Sequence, residues 1–172
     1  MGKEKQKKKD KAQDPELGHD GGVYMVVADE TKEFLMALRY ATKIARIRKG
    51  RVGILHVVDV QDFQHWGNIE ERMRREQRER AERFVWDVAK YVLDWGGSIP
   101  AIYISEGSLF DTVINEIDAD ESIKRLILAT SGVAGKPGPL VTYFVNKGLG
   151  RINIPLLIIP GQLDIERAEI LA

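Results

Sequence analysis

Three glycines, Gly132, Gly135 and Gly138, follow the apolar run 125–130 and precede a stretch of helical length. A glycine loop between the end of a strand and the start of a helix is where α/β proteins hold phosphate. Backbone amides converge there, and the helix dipole favours an anion. From Arg125 to Gly161 the chain reads RLILATSGVAGKPGPLVTYFVNKGLGRINIPLLIIPG. It is not a P-loop: G-x4-G-K-[ST] requires glycine where Thr130 stands and a hydroxyl residue where Pro137 stands. Gly148-Leu149-Gly150 does not follow a strand and reads as a helix end.

Asp29 is the best single polar candidate. It closes an apolar run, where a carboxylate can bond a ribose hydroxyl. An acidic residue near a helix N-terminus is also favoured by the dipole, by roughly 0.3–1 kcal/mol, so both readings stay open. His19, His56 and His65 show no metal-ligand spacing, and His56 reads as a sheet histidine. No G-x-S-x-G is present. With no cysteine there is no disulfide, thiolate metal site or thiol nucleophile.

The elements that would position these residues alternate along the chain. The run 23–28 (VYMVVA) is continuously apolar, as in a strand covered on both faces. Thr31 then caps a helix over Lys32–Lys49 with Phe34, Leu38, Ala41 and Ala45 on one face and Gly50 as the C-terminal glycine. Arg51–Val58 is a second strand, and Asp59–Trp66 a loop. Asn68 starts a long helix to about Trp95, stopped by Gly96-Gly97. Its first half carries Glu70/Arg74, Glu71/Arg75, Glu76/Arg80 and Glu79/Arg83 at i,i+4, and its second half the stripe Ala81, Phe84, Val85, Val88 and Val92. Ser98–Ile104 is a third strand, placed at a sheet edge by Pro100. After the turn Ser105-Glu106-Gly107, Ser108 caps a helix through Ile117 with Phe110, Val113, Ile114 and Ile117 inward. Arg125–Thr130, a helix over Pro139–Leu149 and a fifth strand, Pro155–Pro160, complete the order.

Strands alternating with amphipathic helices indicate an α/β doubly wound parallel sheet. Ligands then bind beyond the carboxyl ends of the strands, at the switch point. The 172 residues are one domain in size, with 44% hydrophobic and 30% charged residues. Residues 1–22 read as a disordered charged tail, 23–161 as the folded domain and 162–172 as a short C-terminal tail. Lysine and arginine balance aspartate and glutamate at 26 each, which gives no electrostatic case for nucleic acid or an anionic membrane. The lysines of Lys3–Lys11 leave an RNA-binding arm as a third reading. No apolar run approaches membrane-spanning length, and no apolar segment follows the N-terminal lysines, so the expected setting is cytoplasmic.

The strings VVADETKEFLMALRYATKIARIRKGRVGILHVV, SEG and LILATSG…NIPLLIIPG, in that order and spacing, resemble the universal stress protein (UspA-like) family over about Val23–Gly161. The resemblance implies an adenine nucleotide alpha hydrolase-like fold. Its five-stranded parallel sheet has the order 3-2-1-4-5 with helices on both faces. It also implies a homodimer paired through Pro155–Pro160 and a stress-response role without a defined reaction. One branch of the family binds ATP through G-x2-G-x9-G-[ST]. The matching positions here are Ala129, Gly132 and Thr142-Tyr143, so only the second glycine is kept. By the same resemblance Asp29 contacts the nucleoside end of the ligand and Val57 lines the adenine pocket. Ser131, Gly132, Gly135 and Thr142 remain as an altered anion site. Two functions follow. One is a non-enzymatic stress-response module that acts through protein contacts, has a degraded ATP loop and requires no cofactor. The other is an ATP- or AMP-binding switch of the same fold.

Overall fold

The computed structural model describes residues 21–59, 68–133, 135–164 and 166. The expected N-terminal tail up to residue 20, the loop after Asp59, His19, His65 and most of the C-terminal tail lie outside the described residues. Val23–Val27 (β1) is buried at every position, the state its unbroken apolar sequence demands. Thr31 caps the first helix, Lys32–Ile47 (α1), by accepting a bond from the Phe34 amide at 3.2 Å. Phe34, Leu38, Ala41 and Ala45 are all buried along its inner face.

The end of α1 differs from the expectation. The left-handed residue is Lys49, at φ 55°, and not Gly50. The Lys49 amide donates to the Arg46 carbonyl and the Gly50 amide to the Ala45 carbonyl, a Schellman closure with lysine in the glycine's usual place. Gly50 is required for space instead. A Cβ there would stand 2.3 Å from the Gly22 carbonyl oxygen and 2.8 Å from the Tyr24 ring.

Arg51–Val58 (β2) is followed by Asn68–Asp94 (α2). Ala81, Val85, Val88 and Val92 are buried, and Phe84 is partly buried against the same core. The exposed half of α2 carries Arg72–Glu76, Arg75–Glu79 and Arg78–Glu82, so Glu76 and Glu79 pair with the arginine before them and not with Arg80 and Arg83 as expected. Such exposed pairs contribute little, because water screens them. Gly96, at φ 75°, ends the helix as expected.

Ala101–Glu106 (β3) starts later than the sequence suggests, immediately after Pro100, and takes in Ser105 and Glu106 from the expected turn. Leu109–Ala119 (α3) buries Val113, Ile114 and Ile117. Phe110 instead stacks on Tyr143, at 4.4 Å between ring centres. Ile123–Ala129 (β4) begins two residues early, through a register shift opposite Val23 and Tyr24. The last helix is not uniform. Pro139–Tyr143 (α4) is α-helical, Phe144–Gly148 widens to a π-turn and Leu149–Arg151 tightens to a 3-10 turn. Leu156–Ile159 (β5) completes the sheet.

The sheet is five-stranded, parallel and ordered β3-β2-β1-β4-β5, as the resemblance implied. Tyr24 and Val26 face a layer formed with α1 and α2, while Val23, Met25 and Val27 face a layer formed with α3 and α4. β3 is an edge, as Pro100 indicated. Among the described residues, no helix is long and apolar enough to cross a membrane.

Two short side-chain bonds fasten the β3 edge to α3. The Tyr103 hydroxyl donates to Asp120 Oδ2 at 2.7 Å, and the Ser105 hydroxyl to Glu116 Oε1 at 2.6 Å. Burial, and then the bond to Asp120, push the Tyr103 phenol well above its ordinary pKa. Hydrogen bonds from Ser122 and then Tyr103 hold Asp120 below the usual carboxylate range. The Tyr103 contribution is therefore complete below about pH 10 and is lost as pH rises through the raised pKa. The Asp120 contribution is complete above about pH 4 and is lost as pH falls through the depressed one. Tyr103→Phe should flatten the alkaline limb of the denaturation midpoint against pH. An alkaline limb identical to that of the parent would remove Tyr103 as its source.

Candidate functional site

Chain direction opens a crevice above the sheet. From β1 the chain turns to α1 on one face, and from β4 it turns to α4 on the other. Between them, at the carboxyl ends, lies a cavity of about 420 Å³, within the range of small-molecule pockets. Phe34, Ala37, Ile127, Ala129 and Val57 supply apolar lining, and Asp29, Glu30, Glu33, His56 and Ser131 bring polar groups to it. The Pro137-Gly138-Pro139 segment closes one side.

The cavity's polar groups have defined partners. Asp29 Oδ1 accepts from the Thr31 amide at 2.9 Å and from the Thr31 hydroxyl at 2.5 Å. Asp29 thus orients the cap of α1 while it stands at the cavity mouth. The bonds to Thr31 match the reading of Asp29 as a helix-start residue. His56 Nδ1 lies 3.1 Å from the Ala28 carbonyl, so Nδ1 carries the hydrogen and Nε2 of the neutral ring is an acceptor. Phe84 packs against that ring at 5.1 Å. The Ser131 hydroxyl accepts from the Val133 amide at 3.1 Å, which turns one of the loop's amides back on the loop.

Of the six residues singled out from sequence, Asp29, Val57 and Ser131 meet in this cavity. Gly135 and Thr142 line a second, more open cavity of about 520 Å³ with Phe110, Lys136, Tyr143 and Lys147. The Pro137-Gly138-Pro139 segment is the wall between the two. Gly132 lines neither. Its carbonyl accepts from Gln162 Nε2 at 2.8 Å, and a Cβ on it would meet the Gln162 side chain at 2.9 Å. Glu30, Glu33 and His56 were not picked out as site residues. The signal for the two glutamates was their position in the first turn after Asp29, directly beside the switch point.

Tyr143 stands where the resemblance implies a small hydroxyl residue. It stacks on Phe110 and meets Phe144 edge-on at 5.4 Å. Its hydroxyl accepts from Arg151 Nη1 at 2.6 Å, and Arg151 also pairs with Asp111 at 3.1 Å. Hydrogen bonds from Ser108 and then Arg151 hold the Asp111 carboxyl below its ordinary range. Among the described residues, no group of three acidic, histidine or cysteine side chains is placed to hold a metal ion.

No protein-family profile and no curated protein matches this sequence. Solved structures do match. The hypothetical protein MJ0577 superposes with a TM-score of 0.67 at 16% identity, over 84% of this chain and 99% of that one. The universal stress protein UspA from Lactobacillus plantarum gives 0.63 at 16%, over 81% and 97%. The universal stress protein from Archaeoglobus fulgidus in complex with dAMP gives 0.58 at 13%, over 80% and 96%.

This chain has the universal stress protein fold.

At these identities the shared property is the fold, and the expected strand order and helix layers are those observed. The universal stress protein fold here carries a cavity beside Asp29 and Val57 and a built aromatic contact between Tyr143 and Phe110. Tyr143→Ser restores a hydroxyl residue to the motif. It should lower stability by about 1–2 kcal/mol, through loss of the Phe110 stack and the Arg151 bond, without producing ATP binding. Denaturant titration reads the first effect and calorimetry with ATP the second. Micromolar ATP binding by this single variant would show that the side chain was only a plug.

Proposed function

We propose that this protein is a regulatory module of the universal stress type. It holds the nucleoside part of an adenine ligand at the switch point, catalyses no reaction of its own and acts as a homodimer through protein contacts. The cavity joining Asp29, Val57 and Ser131 at the ends of β1, β2 and β4 carries this reading. The dAMP complex of a protein of the same fold supports an adenine ligand. The non-enzymatic role is supported by the engagement of the polar groups. Asp29 holds Thr31, His56 is bound to the Ala28 carbonyl, and Ser131 is turned onto its own loop.

Calorimetry with adenosine, AMP and ATP tests the ligand. At least one should bind with a dissociation constant below about 100 μM. Val57→Phe, which fills the cavity, should abolish the heat while leaving the circular dichroism spectrum unchanged. Absence of binding by all three would refute the pocket reading.

β5 supports the homodimer. It is apolar on both faces and lies at the sheet edge. The carbonyls of Pro155 and Ile159 accept from the amides of Leu126 in β4 and of Thr130 just beyond it. In a parallel strand successive residues turn their backbone groups to opposite sides, so Leu156 and Ile158 face away from β4. Such an exposed apolar edge is an aggregation risk unless it is paired. Ile158→Pro removes one outward amide and spares the ladder to β4. Light scattering should read a dimer for the parent and a folded monomer for this variant. A folded, dimeric Ile158→Pro would place the interface elsewhere.

A further inference from the structure

The charges around the first cavity are of one sign. Asp29, Glu30 and Glu33 line it, and among the described residues no lysine or arginine does. Arg80 approaches Glu30 at 3.8 Å, but both side chains are about four-fifths exposed, so this offset is strongly screened. Lys136 and Lys147 belong to the second cavity, beyond the Pro137-Gly138-Pro139 wall. The apolar lining from Phe34, Val57 and Ala129 and the acceptors Asp29 and His56 suit a planar base and a hydroxyl-bearing sugar. They do not suit a phosphate.

From this separation of charge we infer that the cavity selects an uncharged purine nucleoside over the corresponding nucleotide. The inference rests on the adenine-ligand reading of the same cavity and names its ligand class. Asp29 accepts from a ribose hydroxyl with its carboxylate, as a donor-bearing neutral ligand requires. A 5′-phosphate at the mouth meets Glu30 and Glu33 instead of a cation. At separations near 8 Å, with screening typical of a protein surface, each carboxylate lowers the affinity of a phosphate dianion roughly threefold to tenfold. The wall is poorly suited to compensate. Pro137 and Pro139 have no amide hydrogen to offer, and the Ser131 amide is directed to the Pro137 carbonyl at 3.3 Å.

The test compares adenosine with AMP by calorimetry on the full chain, at low and at moderate salt, and repeats it with Glu30→Gln/Glu33→Gln. Adenosine should bind at least tenfold more tightly than AMP at low salt, and added salt should narrow the gap. The double variant should raise AMP affinity at least about tenfold at low salt and leave adenosine within about twofold, with thermal melting confirming that the fold is intact. Equal or tighter binding of AMP overturns the inference. So does a preference for adenosine that the double variant leaves unchanged. If the phosphate crosses the wall to the second cavity, AMP binds more tightly than adenosine, and Lys136→Gln/Lys147→Gln removes that advantage. That outcome refutes the nucleoside preference while keeping the adenine site. If neither ligand binds, the adenine site itself is refuted, and the preference with it.

Discussion

The complete burial of β1 is the constraint on which the rest of the molecule depends. Its five residues lie inside on both faces, with β2 on one edge and β4 on the other. A strand so placed satisfies its backbone groups only through parallel neighbours, and its side chains only if helices cover both faces. The crossovers therefore divide. α1 and α2 pack against one face, and α3 and α4 against the other. Because the chain leaves β1 and β4 toward opposite faces, no described residue fills the space directly above their carboxyl ends. The crevice is a consequence of the topology, and it forms whatever the loops around it contain.

A tyrosine inside this buried strand requires a local solution. Tyr24 is fully buried, and its hydroxyl accepts from Arg125 Nη1 at 3.1 Å. The Arg125 guanidinium also lies 5.4 Å from the centre of the tyrosine ring. The register shift in the β1–β4 pair sets Arg125 opposite Tyr24, one residue beyond the place a regular ladder would give. Lys124 is the residue displaced. Its side chain instead fills the space beside Gly22, where a Cβ would stand 2.2 Å from Lys124 Cγ. The small residue before β1 and the irregularity in β4 thus serve the same buried phenol.

The element order, the apolar faces of α1 and α2 and the edge position of β3 were legible in the chain. Each depends on periodicity or on a proline, and both act locally. What was hidden depends on tertiary approach. Gly50 looked like a left-handed cap, yet it is the Gly22 carbonyl and Tyr24 ring that demand it, while Lys49 takes the positive φ. The π-turn at Phe144–Gly148 has no periodic signature. It accompanies the tight seating of the Tyr143 and Phe144 rings on Gly148, where a Cβ would stand 2.6 Å from the Phe144 ring. Asp29 and Val57 line one cavity because both stand at strand ends, and strand ends are readable. Gly132, Gly135 and Thr142 were not assembled with them, because their positions follow from a loop held by two prolines and by Gln162, which spacing alone does not show.

The two halves of the expected nucleotide site therefore differ in what maintains them. Asp29, Val57 and Ala129 stand on or directly beside strands, and their mutual positions are fixed by the same ladders that bury β1. Mutation in the loop cannot easily dismantle that half. The phosphate half depends on α4 and the residues before it, and there the chain has built a different object. Tyr143, Phe110, Arg151, Asp111 and Ser108 form a continuous set of ring and hydrogen-bond contacts that binds the last helix to α3. A tyrosine is incompatible with close approach of phosphate at that position, but it is well suited to fastening a five-residue helix that opens on Pro139, two residues after Pro137. Where the resemblance implies a glycine and a small hydroxyl residue, this chain instead has packing that secures the last helix. The cavity does not depend on that packing, because its frame is the sheet.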